Sequence, residues 1–408
     1  MSKLRINEIQ IANYRSFGNK LQTITFPNEN YKRPVTIVGY NNAGKTNLLN
    51  AILIGLTSKY VGKETFSLDD FHNRFLANKI SISSTLDSST ETTVNGREVN
   101  LTGEFFLEMQ VDETEILSAK MNSENSISSG AIKYYKIFYV NFHEIKKELS
   151  IKKTSWGNLT SFLAKFIKSS ITSDPNIIDK RISFNKKMKN LSDEMISESL
   201  LIDFIDRIKG NYSKNLRDNA CVIEFGLPEY EDIFLEMIFK VGLNGDRENL
   251  IPIENFGDGY ISMFVMSIIQ TIAETNTDDK CVFIFEEPES FLHENHQEYF
   301  YKKVLCELTE KGHQVIYTTH SHKMIDIFDT RGLIRLEFDE GSKQSVVAFN
   351  NYNCDFNKKM KEEFSLDEIA DYNNYIKIIE PNLNKIIFSK KVLLVEGPND
   401  LMVYKQLI

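Results

Sequence analysis

Residues 39–46 spell GYNNAGKT, and this short segment restricts the possible folds of the chain more than any other. It follows the apolar run VTIV and precedes a stretch with the apolar spacing of a helix, from about residue 46 to 56. The pattern of one glycine, four residues and Gly-Lys-Thr lets the main chain curl, so that successive N–H groups point at phosphate oxygens near a helix N-terminus. The segment therefore predicts a strand, a phosphate-binding loop and a helix.

The side chains of this loop have expected roles. Lys45 is expected to reach the β- and γ-phosphates of ATP, and the Thr46 hydroxyl to coordinate Mg²⁺. The alternative interpretation is an incidental glycine turn. The predicted nucleotide-binding residues are Gly39, Asn41, Asn42, Ala43, Gly44, Lys45, Thr46 and Asn47.

Two later segments supply the acids and the histidine that such a site needs. CVFIFEEPES places Glu286 and Glu287 at the end of an apolar strand, where Glu286 could bind Mg²⁺ and Glu287 could orient or deprotonate water. Burying two adjacent acids is costly without a metal or a proton, so the alternative is an exposed acidic loop. QVIYTTHSHK places His320 at another strand end, where it could contact a γ-phosphate.

The rest of the chain alternates strand-like and helix-like segments, which favours an α/β fold with a largely parallel, helix-covered sheet. Residues 332–350 predict a hairpin, and residues 365–388 a helical stretch interrupted at Pro381. The Ser/Thr-rich stretches 81–96 and 123–130 are expected to be loops or hairpin tips, and residues 98–111 between them a strand.

Charge is distributed unevenly along the chain. Residues 131–190 hold 13 Lys and Arg against 4 Asp and Glu, whereas the whole chain has a net charge of −9. This basic region is either a solvated helical face or a platform for nucleic acid or an acidic partner. The four scattered cysteines favour a reduced, cytoplasmic setting, and no apolar run reaches the roughly 20 residues that span a membrane.

The segments INEIQIANYRSF, GYNNAGKT, FIFEEPE with the following FLHE, and YTTHS together resemble the ABC-type ATPases of the RecF and SMC kind. The resemblance implies a signature segment that contacts the γ-phosphate held by another subunit, and NFGDGY at 255–260 is the candidate, with Gly257, Asp258 and Gly259. Phe256 replaces the small polar residue usual in the family, which implies slow hydrolysis. Gln110 and Asp70 are the candidates for the glutamine loop of the family.

The segment KVLLVEGPND at 391–400 resembles the first motif of TOPRIM domains, a buried strand followed by E-G-x-x-D. The resemblance implies that Glu396 binds Mg²⁺ or acts as an acid–base group beside Asp400. An isolated surface turn is the alternative. An ABC ATPase followed by TOPRIM resembles the OLD (overcoming lysogenization defect) nuclease family, which includes anti-phage nucleases, some of them encoded with retrons.

This resemblance implies four regions. They are 1–140 and 226–388 as the two parts of the ATPase, 141–225 as a helical basic insertion, and 389–408 as the start of TOPRIM. It also implies ATP and Mg²⁺ as cofactors, DNA as substrate, a homodimer or higher homo-oligomer, and a partner defence protein or retron RNA–DNA complex, with no membrane. Residues 1–408 alone are not expected to assemble a two-metal nuclease site.

Two other functions stay open at this point. One is a RecF- or SMC-like DNA-associated scaffold without nuclease activity. The other is a nucleotide sensor that barely hydrolyses ATP, which Phe256 would favour.

Overall fold

The computed structural model describes residues 2–56, 66–94, 97–100, 103–112, 115–122, 137–145, 175–199, 201–216, 240–242, 247–275, 280–351, 360–379, 383–389, 391–393 and 395–407. The chain divides into two compact units. One comprises Met1–Lys146 with Gly257–Ile408, and the other comprises Lys147–Phe256. The second unit therefore starts six residues after the start of the predicted insertion and extends past its predicted end at residue 225.

The strands of the structure form three sheets. They are β1 Ser2–Ala12, β2 Gln22–Thr25, β3 Val35–Val38, β4 Ile80–Val94, β5 Arg97–Asn100, β6 Gly103–Asp112, β7 Glu115–Asn122, β8 Ile137–Asn141, β9 Lys240–Val241, β10 Ile251–Pro252, β11 Val282–Glu286, β12 Gln314–Thr318, β13 Leu333–Asp339 and β14 Gln344–Asn350.

The first sheet is antiparallel, with the order β2-β1-β4-β6-β7 and β5 beside β4. The buried positions of β1 change from Leu4 and Ile6 to Ile9 and Ile11 because its register against β4 shifts between Ile6 and Glu8. Such a β-bulge inserts one residue and so moves the inward face from even to odd positions. The shift explains why the alternation in the sequence holds only in halves.

The prediction of a loop over residues 81–96 is wrong, because residues 80–94 form β4, which pairs with β1 on one side and β6 on the other. Two neighbours satisfy its main-chain groups, and Ile80, Ile82 and Leu86 are buried. The strand predicted over 98–111 is divided between β5 and β6. Residues 123–130 lie outside the described residues.

The second sheet carries the predicted parallel strands, in the order β14-β13-β3-β12-β11-β8. The four steps from β13 to β8 are parallel, and β13 pairs with β14 as the predicted antiparallel hairpin. All five residues of β11 and all five of β12 are buried, as expected for strands covered on both faces. The prediction of a largely parallel sheet is confirmed.

The helices flank these sheets in the order expected from the sequence. They are α1 Lys45–Leu56, α2 Pro175–Ser197, α3 Leu201–Leu216, α4 Asp258–Thr275, α5 Glu294–Phe300, α6 Cys306–Glu310, α7 Met360–Glu363, α8 Leu366–Ile379 and α9 Pro398–Leu407, with a π-helical turn at Tyr301–Leu305 and a 3₁₀ segment at Leu383–Phe388. Helix α1 contacts β1, β4, β6 and β11, so it joins both sheets into one apolar core.

The second unit is described by its own elements. Helices α2 and α3 are separated by residues 198–200, so the helical stretch expected over 191–209 is two helices. Lys186, Lys187 and Lys189 are exposed on α2. Most of the basic region, including residues 146–174, lies outside the described residues.

The C-terminal segment differs from the prediction. Pro381 lies outside the described residues, and α8 ends at Ile379 before the 3₁₀ segment starts at Leu383. The buried strand predicted over 392–395 is wrong for the described positions, which have no regular structure, and Val392 and Leu393 are 49% and 59% exposed. A strand needs a hydrogen-bonded neighbour, and no described strand pairs with this segment. Helix α9 follows Glu396.

None of the described helices combines the length and the apolar character that crossing a membrane requires.

Candidate functional site

The phosphate loop joins β3 to α1 in a strained main-chain conformation. Asn42 and Gly44 have positive φ angles of 67° and 96°. A Cβ on Gly44 would lie 2.4 Å from the Ser345 hydroxyl oxygen, and one on Gly39 would lie 2.6 Å from the Leu336 carbonyl oxygen. The small residues of the loop are therefore needed both for its curvature and for its close packing against the hairpin of β13 and β14.

Lys45 is buried although it carries a charge, at 6% exposure. Its Nζ donates to the carbonyl oxygens of Gly39 at 3.2 Å and Tyr40 at 3.4 Å, and it lies 2.7 Å from the His320 Nε2. Burial lowers the pKa of Lys45, and the nearby carboxylates of the acidic strand oppose that shift. The ammonium group is thus held at the mouth of the loop, where phosphate oxygens can replace its present acceptors.

Thr46 and Glu286 form the pair of oxygen ligands that a magnesium ion requires. The Thr46 hydroxyl donates to Glu286 Oε1 at 2.5 Å, and the Tyr139 hydroxyl donates to Glu286 Oε2 at 2.6 Å. Hard oxygen ligands at this spacing suit Mg²⁺, which usually keeps few protein ligands and several waters or phosphate oxygens. Thr46 and Glu286 therefore fit the predicted metal-binding roles chemically.

Glu287 lies between two imidazoles. His143 Nε2 donates to its Oε2 at 2.7 Å, and His320 Nε2 lies 3.3 Å from its Oε1. Hydrogen bonding to His320, joined by that to His143, lowers the pKa of Glu287 to about 2 against the opposing effect of burial. Glu287 has a φ of 45°, and its N–H donates to the Thr318 hydroxyl oxygen at 3.1 Å. Such strain at a non-glycine residue often marks a functional position.

His320 is shared between two partners. Its Nε2 can accept a hydrogen bond from Lys45 or, when protonated, donate one to Glu287, but a single ring nitrogen cannot do both. The orientation of this side chain therefore depends on whether other groups occupy Lys45 and Glu287.

Strand register explains why these side chains converge. In the parallel sheet Glu286 lies opposite Thr318 of β12 and opposite Asn141 of β8, and Thr318 lies opposite Ile37 of β3. The carboxyl ends of parallel strands meet at one edge, so the phosphate loop, the acidic pair and His320 face one another.

Sequence reasoning missed Tyr139 and His143. Both come from β8 and the turn after it, a short segment whose place beside β11 follows only from long-range pairing. The available signal was weak: a short apolar strand, IFYVN, with polar side chains at its end.

The glutamine-loop candidates are placed elsewhere. Asp70 is buried and accepts hydrogen bonds from Arg15 Nε at 2.8 Å and from the Ser67 N–H at 2.8 Å, so its carboxylate holds a turn. Gln110 belongs to β6 of the antiparallel sheet, and its side chain lies outside the described part of the structure.

The signature candidates lie at the start of α4. Residues 257 and 258 precede and open the helix, and a Cβ on Gly259 would lie 2.9 Å from the Phe291 carbonyl oxygen, which follows the acidic strand. Gly257 has open space where a Cβ would be. Contact of Gly257, Asp258 and Gly259 with nucleotide on another subunit stays a prediction.

Glu396 and Asp400 take no part in the bonded network around Lys45. Both are exposed, one before and one inside α9. Among the described residues no group of three or more His, Cys, Asp or Glu side chains is placed to hold a metal ion. Their nuclease role stays a prediction.

A cleft of 1120 Å³ opens beside the phosphate loop. Its lining comes from the loop, the end of β13 and the 3₁₀ segment, and the residues are Gly39, Tyr40, Asn41, Asn42, Ala43, His320, Arg335, Glu337, Phe338, Glu340 and Phe388. The Tyr40 hydroxyl donates to the Phe388 carbonyl oxygen, so the phosphate loop is bonded to the segment that leads to the C-terminal residues.

Known proteins share this arrangement at different distances. Residues 101–325, which include β11 and β12, match the family described as AAA ATPase domain. Endonuclease GajA of Bacillus cereus (strain VD045) is 25% identical over 439 residues, covering 99% of this chain and 68% of that protein. Old nuclease of Escherichia phage P2 is 23% identical over 435 residues, covering 97% of this chain and 68% of that protein.

Among solved structures, the crystal structure of the SmcHead bound to the C-winged helix domain of ScpA shares 17% identity at a TM-score of 0.47, covering 87% of this chain and 99% of that one. The family match spans more than half of this chain, and the two relatives named as nucleases extend over nearly all of it. The chain therefore belongs to the AAA ATPase domain family, and it is an OLD-family ATPase.

Proposed function

We propose that this protein hydrolyses ATP at the edge formed by β3, β12, β11 and β8. The observation that carries this proposal is the convergence of Lys45, Glu286, Glu287 and His320 from three separate strand ends. Each of these side chains already contacts another member of the group or a main-chain oxygen of the loop. The site therefore needs little rearrangement to receive a triphosphate.

The roles follow from the geometry. Lys45 exchanges its carbonyl acceptors for β- and γ-phosphate oxygens, which it holds by charge. Thr46 and Glu286 hold Mg²⁺, which supplies neutralising charge to the phosphates. Glu287, kept ionised by its two imidazole neighbours, accepts a hydrogen bond from the attacking water and orients it. His320 is placed to exchange Lys45 for the γ-phosphate.

Glu287→Gln tests this assignment. The amide keeps the shape of the side chain but loses the anionic acceptor, so phosphate release should fall at least about 100-fold while ATP affinity stays within about threefold. Phosphate release and equilibrium binding of a labelled ATP analogue measure the two effects. Turnover at the wild-type rate would remove Glu287 from the mechanism.

We further propose that ATP controls a Mg²⁺-dependent DNA nuclease in this protein. Supporting this are the relatives named as nucleases and the bond from Tyr40 of the phosphate loop to Phe388, on the path to Glu396. In this proposal ATP binding brings two or more subunits together through Gly257, Asp258 and Gly259. DNA is the substrate, and an anti-phage role is taken from the Gabija and OLD relatives.

The nuclease proposal requires carboxylates in addition to Glu396 and Asp400, because two-metal cleavage needs several acids around metals about 4 Å apart. In a polypeptide that carries such acids, Glu396→Ala should eliminate Mg²⁺-dependent plasmid cleavage. Plasmid cleavage by residues 1–408 alone would instead place the nuclease site elsewhere.

A second function, a nucleotide-responsive scaffold without nuclease activity, is favoured by one specific observation. Glu396 and Asp400 are exposed, and the described residues hold no metal-binding group of three such side chains. The half-buried Phe256 in the signature segment supports the slow-hydrolysis form of this alternative. A defence protein or a retron RNA–DNA complex would then be the partner, with the exposed lysines of α2 as a docking surface.

A further inference from the structure

Glu289 is a third acid of the acidic turn, and no role has so far been assigned to it. It follows Glu287 by two residues, after Pro288. Its Oε1 accepts two hydrogen bonds, from the Thr319 hydroxyl at 2.7 Å and from the His320 N–H at 2.6 Å. Its Oε2 is buried and has no hydrogen-bonding partner among the described residues. A buried carboxylate with this arrangement is costly unless it serves the structure around it.

The two residues that Glu289 binds are themselves fixed. Thr319 is fully buried, and its N–H donates to the Ile37 carbonyl oxygen of β3 at 3.1 Å. Its hydroxyl oxygen also accepts from the Ser321 N–H at 2.9 Å. One hydroxyl therefore connects Glu289 with the main chain on the far side of His320, so the carboxylate spans the whole turn that carries this histidine.

The acidic turn consequently holds His320 at both ends. Glu287 lies 3.3 Å from the imidazole Nε2, and Glu289 binds the main-chain N–H of the same residue. The ring nitrogen lies 2.7 Å from Lys45 Nζ. A shift of the main chain at His320 would move the ring away from both Lys45 and the phosphates that Lys45 is proposed to bind.

We propose that Glu289 is a positioning residue for ATP hydrolysis, which sets the location of His320 through the Thr319 hydroxyl and the His320 N–H. The inference rests on the proposed role of His320. Glu289 does not contact phosphate or water in this role, and its effect passes entirely through the turn. What matters is an acceptor oxygen at this point rather than a negative charge.

This distinction gives the test its controls. Glutamine has an acceptor oxygen in the same place, and since burial raises the pKa of Glu289, an uncharged side chain is a close substitute. Glu289→Gln should therefore retain kcat within about threefold. Glu289→Ala removes both hydrogen bonds and should lower kcat by about 10- to 100-fold, the range that a displacement of about 1 Å can produce. KM should change by less than about threefold.

Glu298→Ala is the matched control, because this glutamate is exposed and bonded only to Lys302 among the described residues, and it should leave kcat unchanged. Thermal unfolding of every variant identifies loss of folding. If Glu289→Ala unfolds, Thr319→Val removes one of the two hydrogen bonds with a side chain of similar shape and should lower kcat by about fivefold on the same argument.

A double-mutant cycle with His320→Ala separates this inference from the function on which it rests. If Glu289 acts through His320, then Glu289→Ala should cost no further kcat in the His320→Ala background. Independent, multiplicative losses would overturn the positioning role, and so would equal losses in Glu289→Gln and Glu289→Ala. A His320→Ala variant with wild-type kcat would instead overturn the proposed function of His320.

Discussion

Two regions of this molecule place acidic side chains after an apolar run, and their surroundings are opposite. At the end of β11, Glu286 is 4% exposed and accepts hydrogen bonds from Thr46 and Tyr139, while Glu287 is bonded to imidazoles. In the C-terminal segment, Glu396 and Asp400 are exposed, and Leu393 before them is 59% exposed. Carboxylates acquire chemistry where neighbouring strands bring partners to them, and an apolar run alone does not supply those partners.

The same contrast separates the lysines of the protein. Lys45 is buried within the loop and its position is set by three contacts, whereas Lys186, Lys187 and Lys189 are exposed on α2. A buried, fixed charge can act on one phosphate group. Exposed charges act together, over a distance that salt screens.

Lys45→Ala is expected to have the largest effect and tests the buried site directly. Loss of two or more charge-assisted hydrogen bonds to phosphate should weaken ATP binding at least about 100-fold. Equilibrium binding of a labelled ATP analogue measures the change, with the exposed Lys32→Ala as the control variant. Unchanged affinity in Lys45→Ala would contradict the phosphate-loop assignment.

His143→Ala should have an intermediate effect. It removes one of the two imidazoles on Glu287 but leaves Lys45 and His320 in place, so kcat should fall about tenfold while ATP affinity is kept. His143→Gln, which can still donate to the carboxylate, should recover part of the loss. If His143→Ala and wild type have the same kcat, β8 only supports the sheet and adds nothing to catalysis.

Reversal of Lys186, Lys187 and Lys189 to Glu tests whether the exposed lysines bind nucleic acid. Each lost phosphate contact should reduce the slope of log K against log salt by about 0.9, so the slope for DNA should flatten by up to about 2.7. Filter binding or fluorescence anisotropy over a salt series measures it. Equal slopes for variant and wild type would leave these lysines as a solvated helical face.

Glu396→Ala should have the smallest effect on the ATP side of the comparison. Because Glu396 is exposed and lies outside the network around Lys45, ATP affinity and phosphate release should stay within about twofold of wild type. A loss of ATP turnover larger than about tenfold would show that the two acidic regions work as one site.

Local patterns were sufficient for the elements that form the nucleotide site. The strand before the loop, α1, the fully buried β11 and β12, and the hairpin of β13 and β14 all follow from short-range periodicity, because apolar spacing and glycine positions act within a few residues. The same patterns failed at β4, where Ser and Thr residues are buried between two strands. They also failed at residues 391–395, where an apolar run has no partner strand among the described residues.

The sequence by itself thus determined the identity of the phosphate loop, the acidic pair and His320, and the order in which they occur. The tertiary structure decided which other side chains join them. Tyr139 and His143 from β8 and the grip of Glu289 on the turn at His320 depend on strands paired across more than 100 residues and on a turn packed against β3. Hydrogen bonds between distant strands set these contacts, and no local periodicity encodes which strands will become neighbours.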